Sequence, residues 1–257
     1  MERVIYKKNP LIEVIIQYKF PKILALNIDD PVEFQEAIKA DFPIYQLTLE
    51  NQQEISISIG QDNVPIPSVI QKQPVRNHNF ISQDGQYKIN LTSGFISIST
   101  VGYTRWEELL SRFSNPIKEF ERIYMPSFYE RVGLRYIDAF SRKNLSLEDK
   151  PWRELIEQPW LGAFSSIDES KMINIGLDVE YFLDDDISRA KIHTGVGTVN
   201  NNPEKVFVID SDFIHIHNAN AENAISILSY LHDNAKCFIR SAITDTLHYA
   251  MEPEVVS

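Results

Sequence analysis

Two histidines at a spacing of two, His215 and His217, close the run from Val206 through Asp210-Ser211-Asp212 to His217. On one extended strand that spacing puts both imidazoles on the same face, where they can reach a single metal ion. Asp212, His232, His248 or the Asp184 to Asp186 run would have to supply the third ligand. The alternative is that this face is solvated or lines a junction, since Ser97 and Ser99 hold the matching places earlier in the chain. A second group is electrostatic. Glu13, Arg131 and Arg135 are charged residues set in otherwise apolar strands, the pattern of a buried ion pair or of a pocket for an anionic group. We expect Glu13 to pair with one of the arginines, because an unpaired charge among apolar neighbours is costly. Asp245 and His248 stand at helical spacing and read first as a local hydrogen-bonded pair. The Asp184 to Asp186 run reads as a solvated turn. No phosphate-cradling glycine loop, Gly-x-Ser-x-Gly elbow or supported Cys–His pair occurs in the sequence.

Composition limits what these residues can serve. A chain of 257 residues with 43% apolar content can bury a substantial core, either as one large domain or as two halves. A formal charge of −11 argues against general nucleic-acid binding, because that affinity rests on Lys and Arg neutralising phosphates. Cys237 is the only cysteine, so no intramolecular disulfide forms and a reducing compartment is the natural reading. The opening Met-Glu-Arg-Val-Ile-Tyr-Lys-Lys has no apolar signal region, and no uncharged run of membrane-spanning length follows. We expect a cytoplasmic protein with no membrane segment and no cofactor.

The elements that must position these residues are legible from periodicity. Leu11 to Phe20, Tyr45 to Leu49, Ile55 to Ile59, Phe80 to Ser82, Tyr87 to Leu91, Phe95 to Thr100, Arg131 to Phe140, Met172 to Phe182 and Arg189 to Val196 read as strands. Val64 to Pro74 carries three prolines and reads as a surface excursion. Val206 to His217 reads as a hairpin turning at Asp210-Ser211-Asp212. Residues 106–124 carry an amphipathic stripe crossed by Pro116. A longer stripe, from a cap at Asn218 or Asn220 to Met251, predicts one helix of roughly 46 Å. Shifting Phe95-Ile-Ser-Ile98 and the following helix by 118 residues lays them on Phe213-Ile-His-Ile216 and the long helix. The expected fold is therefore α+β, in two related halves, 1–150 and 151–257, each a mainly antiparallel sheet packed against a long C-terminal helix. A helix longer than one half can cover leaves Thr246 and Tyr249 bare, which predicts a homodimer seam there.

Three stretches resemble one family. They are Asn9-Pro10-Leu-Ile-Glu13-Val14, Arg131-Val-Gly133-Leu-Arg135-Tyr136-Ile-Asp138, and the closing helix from Leu231-His232 to Ile243-Thr-Asp245 and the late His248. The chain resembles a sporadically distributed family of uncharacterised bacterial proteins of about 250 residues. The resemblance implies no catalytic residue, and its patchy distribution implies a defence-associated or mobile setting. Two functions follow as expectations. The first is a non-enzymatic binding or assembly protein with a protein partner, such as a neighbour-encoded effector neutralised or supported in a defence or toxin–antitoxin setting. The second is a metal-dependent or phosphate-directed enzyme using His215, His217 and Arg131/Arg135.

Overall fold

Strands whose side chains alternate between apolar and polar need only one face covered, and that requirement organises this chain. The computed structural model describes residues 4–50, 53–59, 65–71, 74–199 and 204–255. In chain order the elements are β1 (Val4–Tyr6), β2 (Leu11–Lys19), α1 (Ala25–Ile28), α2 (Val32–Ile38), β3 (Ile44–Glu50), β4 (Gln53–Ile59), β5 (Pro65–Gln71), β6 (Val75–Ile81), β7 (Tyr87–Leu91), β8 (Phe95–Thr100) and α3 (Trp106–Tyr124). There follow β9 (Arg131–Phe140), α4 (Gln158–Leu161), β10 (Gly176–Phe182), β11 (Ser188–Gly197), β12 (Val206–His215), α5 (Ala221–Ala242), α6 (Asp245–Ala250) and β13 (Pro253–Val255). Nine strands form one sheet in the order β10-β11-β12-β9-β2-β8-β7-β6-β3. Every pairing in it is antiparallel. β4 and β5 pair as a separate hairpin, and β1 pairs with β13.

The α+β class with a large antiparallel sheet and a C-terminal helix is as expected. One face of the sheet is apolar: Val14, Ile16 and Tyr18 of β2, Ile96 and Ile98 of β8, and Ile209 and Phe213 of β12 are all buried. The helices α3 and α5 cover it. Phe113 of α3 meets Tyr18 edge-on at 5.4 Å, Phe120 lies 4.7 Å from Phe20, and Phe238 of α5 lies 6.0 Å from Phe213. Five strands lie on one side of the β2–β9 pair, counting β2, and four on the other, counting β9. The strands β3, β6, β7 and β8 step inward from one edge to lie beside β2, and β8 leads into α3; β10, β11 and β12 step inward from the other edge to lie beside β9, and β12 leads into α5. β9 and β12 pair with each other, so the sheet is continuous across the division expected near residue 150.

Three expectations are corrected. Val206 to His215 is a single strand, not a hairpin, because alternation runs straight through the supposed turn. Ser211 is buried with Ile209 and Phe213, while Asp210 and Asp212 take the other face. The offset of 118 therefore lays Ser93, in the turn between β7 and β8, on mid-strand Ser211, and that residue-by-residue match does not hold. Within the proline-bearing stretch, Pro65–Gln71 is strand β5 of a two-stranded hairpin, whose edges tolerate proline.

The third correction concerns the long helix, which breaks. α5 starts at the expected Asn220, whose side chain accepts from Asn223 N–H at 3.0 Å while Asn223 Oδ1 accepts from Asn220 N–H at 2.8 Å. It stops at Ala242, where Ile243 turns extended (φ −113, ψ 147) and forms a bridge with Ile156. Thr244 N–H donates to Leu155 O at 3.0 Å and Glu157 N–H to Ala242 O at 2.9 Å, so a non-local ladder replaces helical bonds. Thr244 then caps α6. The break shifts the phase, so that Leu247 and Met251 are buried while Thr246 and Tyr249 are exposed. Twenty-two residues span about 33 Å. The length mismatch from which a seam at Thr246 and Tyr249 followed is therefore gone. Among the described residues no helix is long and apolar enough to cross a membrane.

Candidate functional site

The arginines of β9 face away from the helices, on the open side of the sheet. Their partners are the acids of β12. Arg135 makes a two-pronged contact with Asp210, its Nε donating at 2.6 Å and its Nη2 to the second oxygen. Arg131 donates to Asp212 Oδ2 at 2.6 Å and to Gln17 Oε1 at 2.8 Å. Gly133 leaves room for the second contact: a Cβ there would stand 3.3 Å from the Arg131 guanidinium that lies across it, tighter than ordinary packing. The expected pairing with Glu13 is thereby corrected, since Glu13 acts on Arg135 only as a weaker, more distant charge. β12 flanks β9 directly, with Asp212 opposite Arg135 and Asp210 opposite Ile137, so both acids lie within diagonal reach of the arginines, whereas Glu13 sits where β2 slips register against β9. A double-mutant cycle on Arg135 and Asp210 is expected to give up to about 1 kcal/mol of coupling after solvent screening, and one on Arg135 and Glu13 less than about 0.3. Equal couplings would contradict this assignment.

His215 and His217 are not placed as one strand face would place them. β12 ends at His215, whose Nδ1 lies 2.9 Å from Ser188 Oγ and 4.0 Å from Asp185 Oδ2; His217 follows beyond the strand and is exposed. Burial lowers the His215 pKa. Asp185 serves the turn before β11, accepting from Ile187 N–H at 3.0 Å and Ser188 N–H at 2.7 Å. Among the described residues no group of three or more His, Cys, Asp and Glu could hold a metal ion. Asp245 and His248 part company: Asp245 takes Arg240, and His248 Nδ1 lies 2.8 Å from the Tyr6 hydroxyl.

A different constellation occupies the helix-covered face. Between α3, α5 and the central strands lies a cavity of about 130 Å³. Tyr136 and Asp138 of β9 and Ser211 of β12 line its floor, Trp106 at the start of α3 and His232 and Ile239 of α5 its walls, and Val4, Ile5 and Tyr6 of β1 close one side. The pairing of β1 with β13, which brings the two ends of the described chain together, holds that side in place. Trp106 and His232 stack nearly parallel, 4 degrees apart with ring centres 4.4 Å from each other. His232 Nδ1 is 2.8 Å from the Tyr136 hydroxyl, and Tyr103 meets the Tyr136 ring edge-on at 6.1 Å. Burial raises the hydroxyl pKa of Tyr136 well above its usual value and that of Tyr6 to about 12, so both stay neutral.

Asp138 is the exception in this lining. It is 4% exposed, and among the described residues no group hydrogen-bonds to its carboxyl. Burial alone pushes its pKa up to about 7. Beside it the pairing of β2 with β9 shifts register, Leu11 standing opposite Asp138 and Glu13 opposite Ile137. Such irregularities re-aim side chains and gather next to functional sites.

Sequence reading passed over Asp138, although a signal for it existed. With period two along β9, Arg131, Gly133 and Arg135 take one face, and Val132, Leu134, Tyr136, Asp138 and Phe140 the other, so the acid falls on the face the helices cover. Trp106 and His232 were legible only as stripe residues, and nothing in the spacing between residues 106 and 232 announces their contact. The chain matches no model of a known protein family, and no curated protein matches it.

Proposed function

We propose that this chain is a non-enzymatic binding protein whose ligand is a small molecule with a ring-sized body, held in the cavity above β9. The observation that carries this reading is Asp138, an acid aimed into an aromatic cavity with no hydrogen-bond partner among the described residues. A buried polar group without a partner costs several kcal/mol, so a fold that keeps one there is completed by a donor from outside. The dimensions agree. A volume of about 130 Å³ is close to the ~150 Å³ apolar cavity that admits one benzene ring. The lining follows the usual composition of small-molecule sites, mostly apolar and aromatic with few convergent polar groups. Arg131 and Arg135 favour this reading over phosphate-directed chemistry, because both guanidiniums already answer acids of β12 on the opposite face.

A ring-sized probe is expected to bind with a millimolar Kd, about −4 kcal/mol. Benzyl alcohol added well above that concentration should shift the Trp106 indole resonance in a nuclear magnetic resonance spectrum. Ile239→Trp, which fills the cavity, should abolish the shift while the rest of the spectrum is kept. An indole resonance indifferent to benzyl alcohol, benzylamine and benzoate alike would overturn the reading.

A further inference from the structure

We infer that the ligand presents a protonated nitrogen, an ammonium or amidinium, to Asp138, with its apolar body among the rings of Tyr103, Trp106 and Tyr136. The inference rests on the cavity being a binding site and adds the chemical class of what enters it. The groups facing Asp138 decide the charge. Tyr6 comes from β1, Tyr136 from β9 itself, Tyr103 and Arg105 from the segment before α3, and His232 and Lys236 from α5. His248 lies behind Tyr6.

None of these puts a cation on the carboxyl. Lys236 is drawn to Asp233, 3.0 Å away on its own helix, and Arg105 is exposed at the position before α3. His232 is held by Tyr136 on its edge and Trp106 on its face. An anionic ligand would meet a like charge in low dielectric. A neutral donor would leave the carboxylate's charge uncompensated. A cation removes it, and the tyrosine and tryptophan faces favour a cation further through their ring quadrupoles. Burial raises the carboxyl's pKa, and pairing with a cation should bring it down.

The test uses the full chain and three probes of one size: benzylamine as its ammonium, benzyl alcohol and benzoate, titrated at about pH 8 and about pH 5. At the higher pH benzylammonium should bind at least tenfold more tightly than benzyl alcohol, with benzoate weakest. The preference should shrink at the lower pH as Asp138 takes up a proton. It should vanish in Asp138→Asn. Benzyl alcohol or benzoate binding as tightly as benzylammonium at the higher pH would overturn the inference and leave the cavity a binding site. So would a preference that survives in Asp138→Asn. Binding of none of the three would overturn both readings.

Discussion

Asp138→Asn is expected to unfold at higher denaturant concentration than the native chain above pH 7, by a margin of up to about 4 kcal/mol. The sign follows from where the proton sits. Burial raises the folded-state pKa of this acid to about 7 from an ordinary value of 3.8, so between those values the folded chain binds a proton that the unfolded chain has lost. Stability then falls as pH rises through that window, and the penalty is complete above about 7. A difference of about three units at 1.36 kcal/mol each sets the upper figure. Asparagine has nearly the same shape and never ionises, so it escapes the penalty. The advantage should fade as pH falls toward 3.8, where the native side chain is protonated in both states. Denaturant titrations of both chains at about pH 8 and about pH 4 provide the measurement. A stability difference of the same size at both values would show that Asp138 does not titrate as its surroundings imply. A residue that weakens its own fold is the usual mark of a site kept for function.

Phe238→Ala is expected to cost about 3–5 kcal/mol. Phe238 is 6% exposed, and it ties three elements together: its own helix α5, strand β12 through Phe213 at 6.0 Å, and the α4 segment through Trp160, edge-on at 5.0 Å. Removing the ring leaves a void bounded by a helix and a sheet that cannot both close in. Tyr249→Ala is the control from the same end of the chain, since Tyr249 is 67% exposed and its loss should stay within about 0.5 kcal/mol. Similar losses at the two positions, read from denaturant midpoints, would mean that the packing of α5 on the sheet is misassigned.

These two residues also mark what local pattern conveys and what it does not. The stripe carrying Leu228, Leu231, Ala235 and Phe238 is helical in the sequence and buried in the fold. It is set by spacing within a few turns, and no distant residue is needed to recognise it. The same holds for β7, β8 and β9, whose alternation marks them within a residue or two, and for the amphipathic start of α3 at Trp106. A local pattern has limits wherever a distant backbone competes. The stripe continues past Ala242 on paper, but Leu155 and Ile156 offer Thr244 and Ile243 a strand-like ladder, and the helix ends there. Asp210-Ser211-Asp212 has the composition of a turn. Flanked by β9 and β11, its backbone bonds sideways and its acids find arginines.

By itself the sequence determined that the chain is α+β, which faces of its strands and helices are apolar, and that Arg131 and Arg135 share one side of a strand. Each follows from a period of two or 3.6 residues, which is a property of neighbours along the chain. The tertiary structure alone decided that Asp210 and Asp212, not Glu13, answer those arginines. It alone brought Trp106 onto His232 and closed β1 over Tyr136 and Asp138. Strand order and helix placement set these contacts across long gaps, 75 residues from Arg135 to Asp210 and 126 from Trp106 to His232. No periodicity encodes such a contact, because it exists only when one packed arrangement is lower in free energy than every other way of covering the same apolar faces.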